Sequence, residues 1–437
     1  MFLTDRQLSN HQPESQMNTL ARRVATLSLA CSALVATTAA GGTTAFAAAP
    51  GASGGGTPAS APGFPALDPA ALQAAIDIRP SDQAAGAIAR VAEPGQLWRG
   101  SSGDTVTGRK VADNAHFHIG SISKTFESVV ILQLAAEGRI DLDQSVQSYL
   151  PGLIPAGFAP ITVRELLTMT SGLPDVFEGG PVLTADQQIA EHLQYRTFDD
   201  EIEGTLRPTG RPWPTAHFAP GTEQQYNSLG FRIGGALIEH ITGRSYKDEV
   251  TSRILEPLHL DQTSVPEDDP TMPTPYLHGY LVNSQGQPVD VSEQGGDPSN
   301  MISTPADLDH FISALFKGEL LPPAQLNEMF TLPTGPDGKV VPYADDSDCL
   351  NGGKPGPACF GAGLMAVPLP NGQTLWGKTG HDFGYANGMF ATRDLSVRAV
   401  FSVSTTAANN GAPTALSNRL LEAVLAPQAN GNPETRG

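Results

Sequence analysis

Residues 116–130 read HFHIGSISKTFESVV and place two serines and a lysine within four positions. A serine hydroxyl is a weak nucleophile until a neighbouring base takes its proton. On a helix, a residue three positions on lies about one turn away and almost on the same face. Burial of a lysine amine in that position disfavours its charged form and makes it a usable base. The chain has seven lysines, and only Lys124 has a serine three residues before it, Ser121. Ser123 directly precedes Lys124 and points elsewhere around the helix. Ser121 also falls at the expected helix start, where free backbone N–H groups favour a developing oxyanion. Phe126, Val130 and Leu134 repeat every four residues and Gly138 ends the run, which predicts the helix itself. Taken alone, S-x-x-K describes an N-cap serine followed by a surface lysine more often than a catalyst.

A second element lies far along the chain. Lys378-Thr379-Gly380 falls in QTLWGKTG, which with ANGMFATRD and VRAVFSVST reads as consecutive antiparallel strands. Lys378 and Thr379 offer a charge and a hydroxyl to a carboxylate, and Gly380 leaves room for a substrate backbone. At the other end, Asp68 and Pro69 suit the N-cap and first turn of a helix. AAGAIARVA, the turn EPGQ and LWRGSSG then read as a hairpin. Between these ends lie mostly helical patterns. TVRELLTMTSGLPD is closed by Gly172 and Pro174. NSLGFRIGGALIEHITG carries Leu229, Ile233 and Leu237 on one face, and TPADLDHFISALFKG is capped by Thr304. APTALSNRLLEAVLA is a closing helix. The expected fold is α/β: an antiparallel sheet from both chain ends flanked by helices, plus an inserted all-helical region at roughly 140–300.

S-x-x-K on a helix start joined to K-T-G on a late strand is a far more specific pattern than either part, and it is a signature of penicillin-binding proteins and β-lactamases. FHIGSISKTF, ITVRELLTMTSGLPD, FAPGTEQQYNSLGF, MISTPADLDHFISALFKGELL and GKTGHDFGYANGMF occur in that order. Each resembles a segment of the serine hydrolase family of class C β-lactamases and low-molecular-mass D-alanyl-D-alanine carboxypeptidases. The resemblance covers 68–427 and is closest to the secreted carboxypeptidases of Gram-positive bacteria. It implies an α/β sandwich with a helical region, the active site lying between them. Ser121 becomes the acylated nucleophile and Lys124 its general base. Tyr226 matches the tyrosine of the family's Tyr-x-Asn and relays a proton to the leaving group. The backbone N–H groups of Ser121 and His381 form the oxyanion hole, and Lys378 and Thr379 bind a substrate carboxylate beside Gly380. The chain departs from the pattern at Tyr226-Asn227-Ser228, where Ser228 takes the slot of the family asparagine. Ser228, or Asn227 in compensation, is expected to contact the substrate amide.

The resemblance further implies a small peptide or ester substrate of cell-wall origin, β-lactams as acylating ligands, no cofactor and a monomer. The first expectation is a D-alanyl-D-alanine carboxypeptidase acting on peptidoglycan stem peptides. A β-lactamase, a D-amino-acid peptidase or an esterase are alternatives within the family. A non-catalytic penicillin-sensing or wall-binding protein is the alternative outside catalysis, and intact Ser121, Lys124 and Tyr226 argue against it.

Composition bounds these readings. The 437 residues carry a formal net charge of −19, which repels phosphate backbones and argues against nucleic-acid binding. Arg22 and Arg23 precede the apolar run VATLSLACSALVATTAA, and AFA at Ala45 to Ala47 fits a small-residue cleavage site, so 1–47 reads as an export signal, with Met17 as an alternative start. Residues 48–67 read as a flexible linker rich in Ala, Gly and Pro, and 428–437 as a disordered tail. The G-x-S-x-G at Gly51 to Gly55 lies inside that linker without a strand or helix around it and carries no weight. Cys349 and Cys359 remain beyond the leader in a Gly/Pro-rich stretch, and outside the cytoplasm such a pair forms a disulfide. Its short loop gives a stabilisation on the order of 2–3 kcal/mol. His116 and His118 imitate a metal pair but lack a third ligand, and no metal is expected.

Overall fold

The structure is a computed structural model and describes residues 67–103, 108, 110–176, 178–296, 298–344, 349, 356–369, 371–406 and 415–425. The expected leader at 1–47, the linker at 48–67 except its last residue, and the tail at 428–437 lie outside the described residues.

A six-stranded antiparallel sheet is built from both ends of the described chain. Its strands are β1 (Ala84–Glu93), β2 (Gln96–Gly103), β7 (Met365–Pro368), β8 (Thr374–Asp382), β9 (Tyr385–Thr392) and β10 (Arg398–Thr405), in the order β2-β1-β10-β9-β8-β7. Two small pairs stand apart, β3 (Phe117–His118) with β6 (Ile302–Ser303) and β4 (Tyr280–Val282) with β5 (Pro288–Asp290). Within the inserted helical stretch at 140–300 lies the short β4–β5 hairpin, across which Leu281 and Val289 pair.

The early and late segments meet at β1 and β10, from Ala84 opposite Thr405 to Ala92 opposite Arg398. Helix α1 (Pro69–Ile76) begins as predicted, with the Asp68 carboxylate accepting from the N–H groups of Ala70 and Ala71. It packs with the closing helix, Ala415–Leu425, on one face of the sheet. Arg419 of that closing helix grips both oxygens of the buried Asp82 carboxylate at 2.7 and 2.8 Å, tying the two ends of the domain together. On the other face lies a helix at Pro305–Lys317, capped by Thr304 as expected. Its Asp309 accepts from Arg90 of β1 and Arg398 of β10.

The nucleophile segment forms a 3₁₀ turn at Gly120–Ile122 that runs into helix α2 (Ser123–Ala136). Periodicity suggested a helix with one apolar face. Instead α2 is buried almost all round, from Ser123 to Leu132, because the helices at Leu229–Thr242, Tyr246–Val250 and Pro323–Met329 pack against it. Phe126 stacks on Phe311 with ring centroids 3.7 Å apart. The TVRELLTMTSGLPD helix is shorter than predicted, Val163–Leu167. Met169 turns left-handed at φ 56° and sends the chain into a loop. The helix at Leu229–Thr242, here α3, buries Leu229, Ile233 and Leu237 as expected.

Candidate active site

The site forms where β8 loses one neighbour. β7 pairs with β8 only as far as Met365 opposite Gly377, whereas β9 continues along residues 378–382. The nucleophile turn docks against this stretch. A Cβ built on Gly120, whose φ is +52°, would lie 2.2 Å from His381 O, and one on Gly380 would lie 2.0 Å from Ile119 O. Glycine at both positions lets the two backbones touch. Asn387 of β9 donates to His118 O at 2.8 Å and clamps the segment just before the turn.

On this platform Ser121 Oγ accepts from Lys124 Nζ at 2.9 Å and from Tyr226 Oη at 2.6 Å. Lys124 is 4% exposed and Lys378 2%. The Lys378 ammonium donates to Thr379 O at 2.9 Å and lies 4.8 Å from the centre of the Tyr226 ring; Lys124 Nζ lies 5.5 Å from it. Burial by itself pushes the Tyr226 phenol up. The two ammonium groups and the hydrogen bond to Ser121 outweigh that effect and the opposing charge of Asp175, leaving the phenol below its ordinary value. His381 is pushed down to about 4 by burial and then by the Lys378 charge, so its imidazole is neutral at neutral pH.

Ser121, Lys124, Tyr226 and Lys378 therefore converge, with Thr379, Gly380 and His381 following on the same strand. The segments carrying the Ser121 and His381 N–H groups face each other. Asn227 does not join them. Its amide donates to Leu173 O and Pro174 O, and its oxygen accepts from Gly230 N–H, so it staples the loop before α3 and is buried away from the nucleophile. This corrects its nomination as a substrate contact. Ser228 is half-buried, and its N–H donates to Asp175 Oδ1 at 2.7 Å. Asp175 thus satisfies the backbone N–H at the start of α3.

Cys349 and Cys359 are joined in a disulfide. His116 and His118 are engaged with main chain, His116 Nδ1 with Pro275 O at 2.9 Å and His118 Nε2 with Ser292 O at 3.0 Å. Sequence reasoning missed Gln224, Tyr343 and Phe360, which surround Tyr226. They carry no motif; the sole signals were the place of Gln224 two residues before Tyr226 and of Phe360 next to Cys359.

Residues 70–424 match the family model described as Beta-lactamase, and the chain belongs to the β-lactamase family. Among solved structures, it is similar to a D-stereospecific amidohydrolase from Streptomyces sp., at 30% identity and a TM-score of 0.68, over 83% of this chain and 100% of that one. It is also similar to esterase EstB of Burkholderia gladioli, 30% identical over 284 residues, 57% of this chain and 70% of the esterase. Protein flp of Staphylococcus aureus is 27% identical over 158 residues, 36% of this chain, and the match spans only 29% of flp.

Proposed function

We propose that this protein is an exported serine hydrolase that forms an acyl-enzyme on Ser121 and cleaves amides, esters or short peptides of D-amino acids. The observation that carries the reading is one serine oxygen held at once by Lys124 and Tyr226 beneath a second buried lysine.

The chemistry balances as follows. Ser121 Oγ attacks the substrate carbonyl carbon while its proton passes to the Tyr226 phenolate. Lys124 and Lys378 flank the phenol and favour its phenolate, so the acceptor role goes to Tyr226; the family resemblance gave the base role to Lys124. The carbonyl oxygen becomes an oxyanion between the Ser121 and His381 N–H groups. The carbonyl–leaving-group bond then breaks, and Tyr226 returns the proton to the departing amine or alkoxide. A water repeats the cycle on the ester, releasing acid and Ser121. His381 stays neutral and contributes through its main chain.

The substrate class rests on similarity to the Streptomyces amidohydrolase along that protein's whole length and to EstB. The narrower reading, a D-alanyl-D-alanine carboxypeptidase acting on cell-wall peptides and acylated by β-lactams, draws on Lys378 and Thr379 as a carboxylate pair. Against it, the Lys378 ammonium is buried and already donates to Thr379 O. Export draws on the leader-like run and on a disulfide that a reducing cytoplasm would not keep.

The test is to incubate purified protein with D- and L-alanine p-nitroanilide, a p-nitrophenyl ester, a peptide ending in D-Ala-D-Ala and a labelled penicillin. Preference for the D-anilide supports the broader reading. Release of D-Ala from the peptide, with a lasting penicillin label, would favour the carboxypeptidase. No hydrolysis of any of them would sink the enzyme reading.

A further inference from the structure

Gln224 is fully buried two residues before Tyr226. Its side-chain Nε2 donates to Thr168 O at 2.7 Å and to Phe360 O at 2.8 Å. Its Oε1 accepts from the N–H groups of Cys359 at 2.8 Å and Phe360 at 3.0 Å. All the bonds a primary amide can make to this oxygen and nitrogen are taken, which leaves the group one orientation. The Gln224 backbone continues the pattern: its N–H donates to Pro342 O, and its O accepts from Ala344 N–H. The next contact reaches Tyr226 itself, whose N–H donates to Tyr343 Oη at 2.9 Å.

Three chain segments thus meet at one residue: the loop after Val163–Leu167, the stretch 342–344, and the stretch 359–360. The Cys349–Cys359 disulfide ties down the last of these immediately before Phe360. Phe360 then lines the site, its ring centroid 5.9 Å from that of Tyr226 and 5.7 Å from Lys378 Nζ. None of Gln224, Tyr343 or Phe360 bonds to Ser121; each touches a group that does, or one beside it.

We propose that Gln224 and Tyr343, backed by the disulfide-anchored Phe360, are positioning residues that hold the Tyr226 phenol on Ser121 and between the Lys124 and Lys378 ammonium groups. The inference rests on the reading of Tyr226 as the proton-transfer group. The charged and titratable groups facing that phenol are Lys124 from α2, Lys378 from β8 and Asp175 from the loop after Val163–Leu167, with Ser121 as its hydrogen-bond partner. A displacement of about 1 Å at such a group costs on the order of 100-fold in rate. A slack Tyr226 also sits farther from the two ammonium groups, so its phenol titrates at higher pH. The acid limb of kcat/KM moves up with it, which a purely structural role would not cause.

The experiment compares three full-length variants on a p-nitrophenyl ester across pH. Gln224→Glu keeps both acceptor bonds and loses both donor bonds. Tyr343→Phe removes only the oxygen that receives the Tyr226 N–H. Tyr226→Phe tests the reading beneath. Expected are falls in kcat of about 10- to 100-fold for Gln224→Glu and about 3- to 10-fold for Tyr343→Phe, with KM within about twofold and the acid limb moved to higher pH in both. Folded variants with wild-type kcat and an unmoved limb would overturn the proposal. If Gln224→Glu fails to fold, Tyr343→Phe decides alone by the same criteria. An inactive wild type, or a fully active Tyr226→Phe, would instead overturn the underlying reading, and the positioning role with it.

Discussion

Gly120→Ala probes the contact on which the site is built. The turn before Ser121 runs through Gly120 at φ +52°, and the added Cβ would sit 2.2 Å from His381 O, 2.7 Å from its C and 2.8 Å from its N. A left-handed alanine costs about 1–2 kcal/mol. Because real Cβ contacts do not fall below 3.0 Å, one backbone must retreat. Overpacking of this kind costs a further 1–3 kcal/mol or so, giving a stability loss of roughly 2–5 kcal/mol. The retreat, about 1 Å, separates the two segments whose N–H groups would hold the oxyanion. Misplacement of that size, or loss of one oxyanion donor, lowers kcat by about 100-fold or more. The control is Gly138→Ala, at φ +71° with nothing within 4 Å of the new Cβ. It should show the conformational cost of about 1–2 kcal/mol and an unchanged kcat. Thermal melts and ester kinetics on both variants decide the matter. A folded Gly120→Ala enzyme with wild-type kcat, or a Gly138→Ala enzyme equally damaged in kcat, would refute the argument.

Tyr226→Phe should lower kcat by about 10²- to 10⁴-fold with little change in KM, measured on an ester and an anilide; a drop confined to KM would assign Tyr226 to binding. For pH, the active base is the phenolate, which forms above its lowered pKa, so kcat/KM should fall as pH drops through that value. Lys378→Met removes one stabilising ammonium and should move this limb to higher pH, and an unmoved limb would separate Lys378 from the titrating group. His381, pushed down to about 4, is neutral across pH 5–8 and should add no limb there, so His381→Gln should keep the profile's shape. Ser228→Asn should raise anilide turnover relative to ester turnover, and an unchanged ratio would show that this slot does not limit amide cleavage.

How much of this was legible in the sequence depended on how local the determinant was. Ser121 and Lys124 were readable because helical spacing alone brings them together, and Asp68 and Thr304 because capping needs only a few adjacent residues. The strand partners β8 to β10 followed from short turns between alternating runs. The burial of α2 on all sides was not readable, since it comes from elements far along the chain. The helix after Thr162 stops early because of the backbone turn at Met169, which no breaker residue marks. Asn227 was misread for a related reason. Its side-chain direction is set by the carbonyls of Leu173 and Pro174, about fifty residues earlier in the chain. Gln224 has no motif at all; its meaning lies in four long-range hydrogen bonds.

The central claim is that Ser121 carries the acyl group. Its most direct test is mass spectrometry of the enzyme quenched during turnover of a slow ester or a penicillin, with the adduct located by peptide mapping. The account predicts one acyl group on Ser121, absent from Ser121→Ala and still formed by Ser123→Ala. An adduct on Ser123 or elsewhere, or turnover by Ser121→Ala at the wild-type rate, would contradict it.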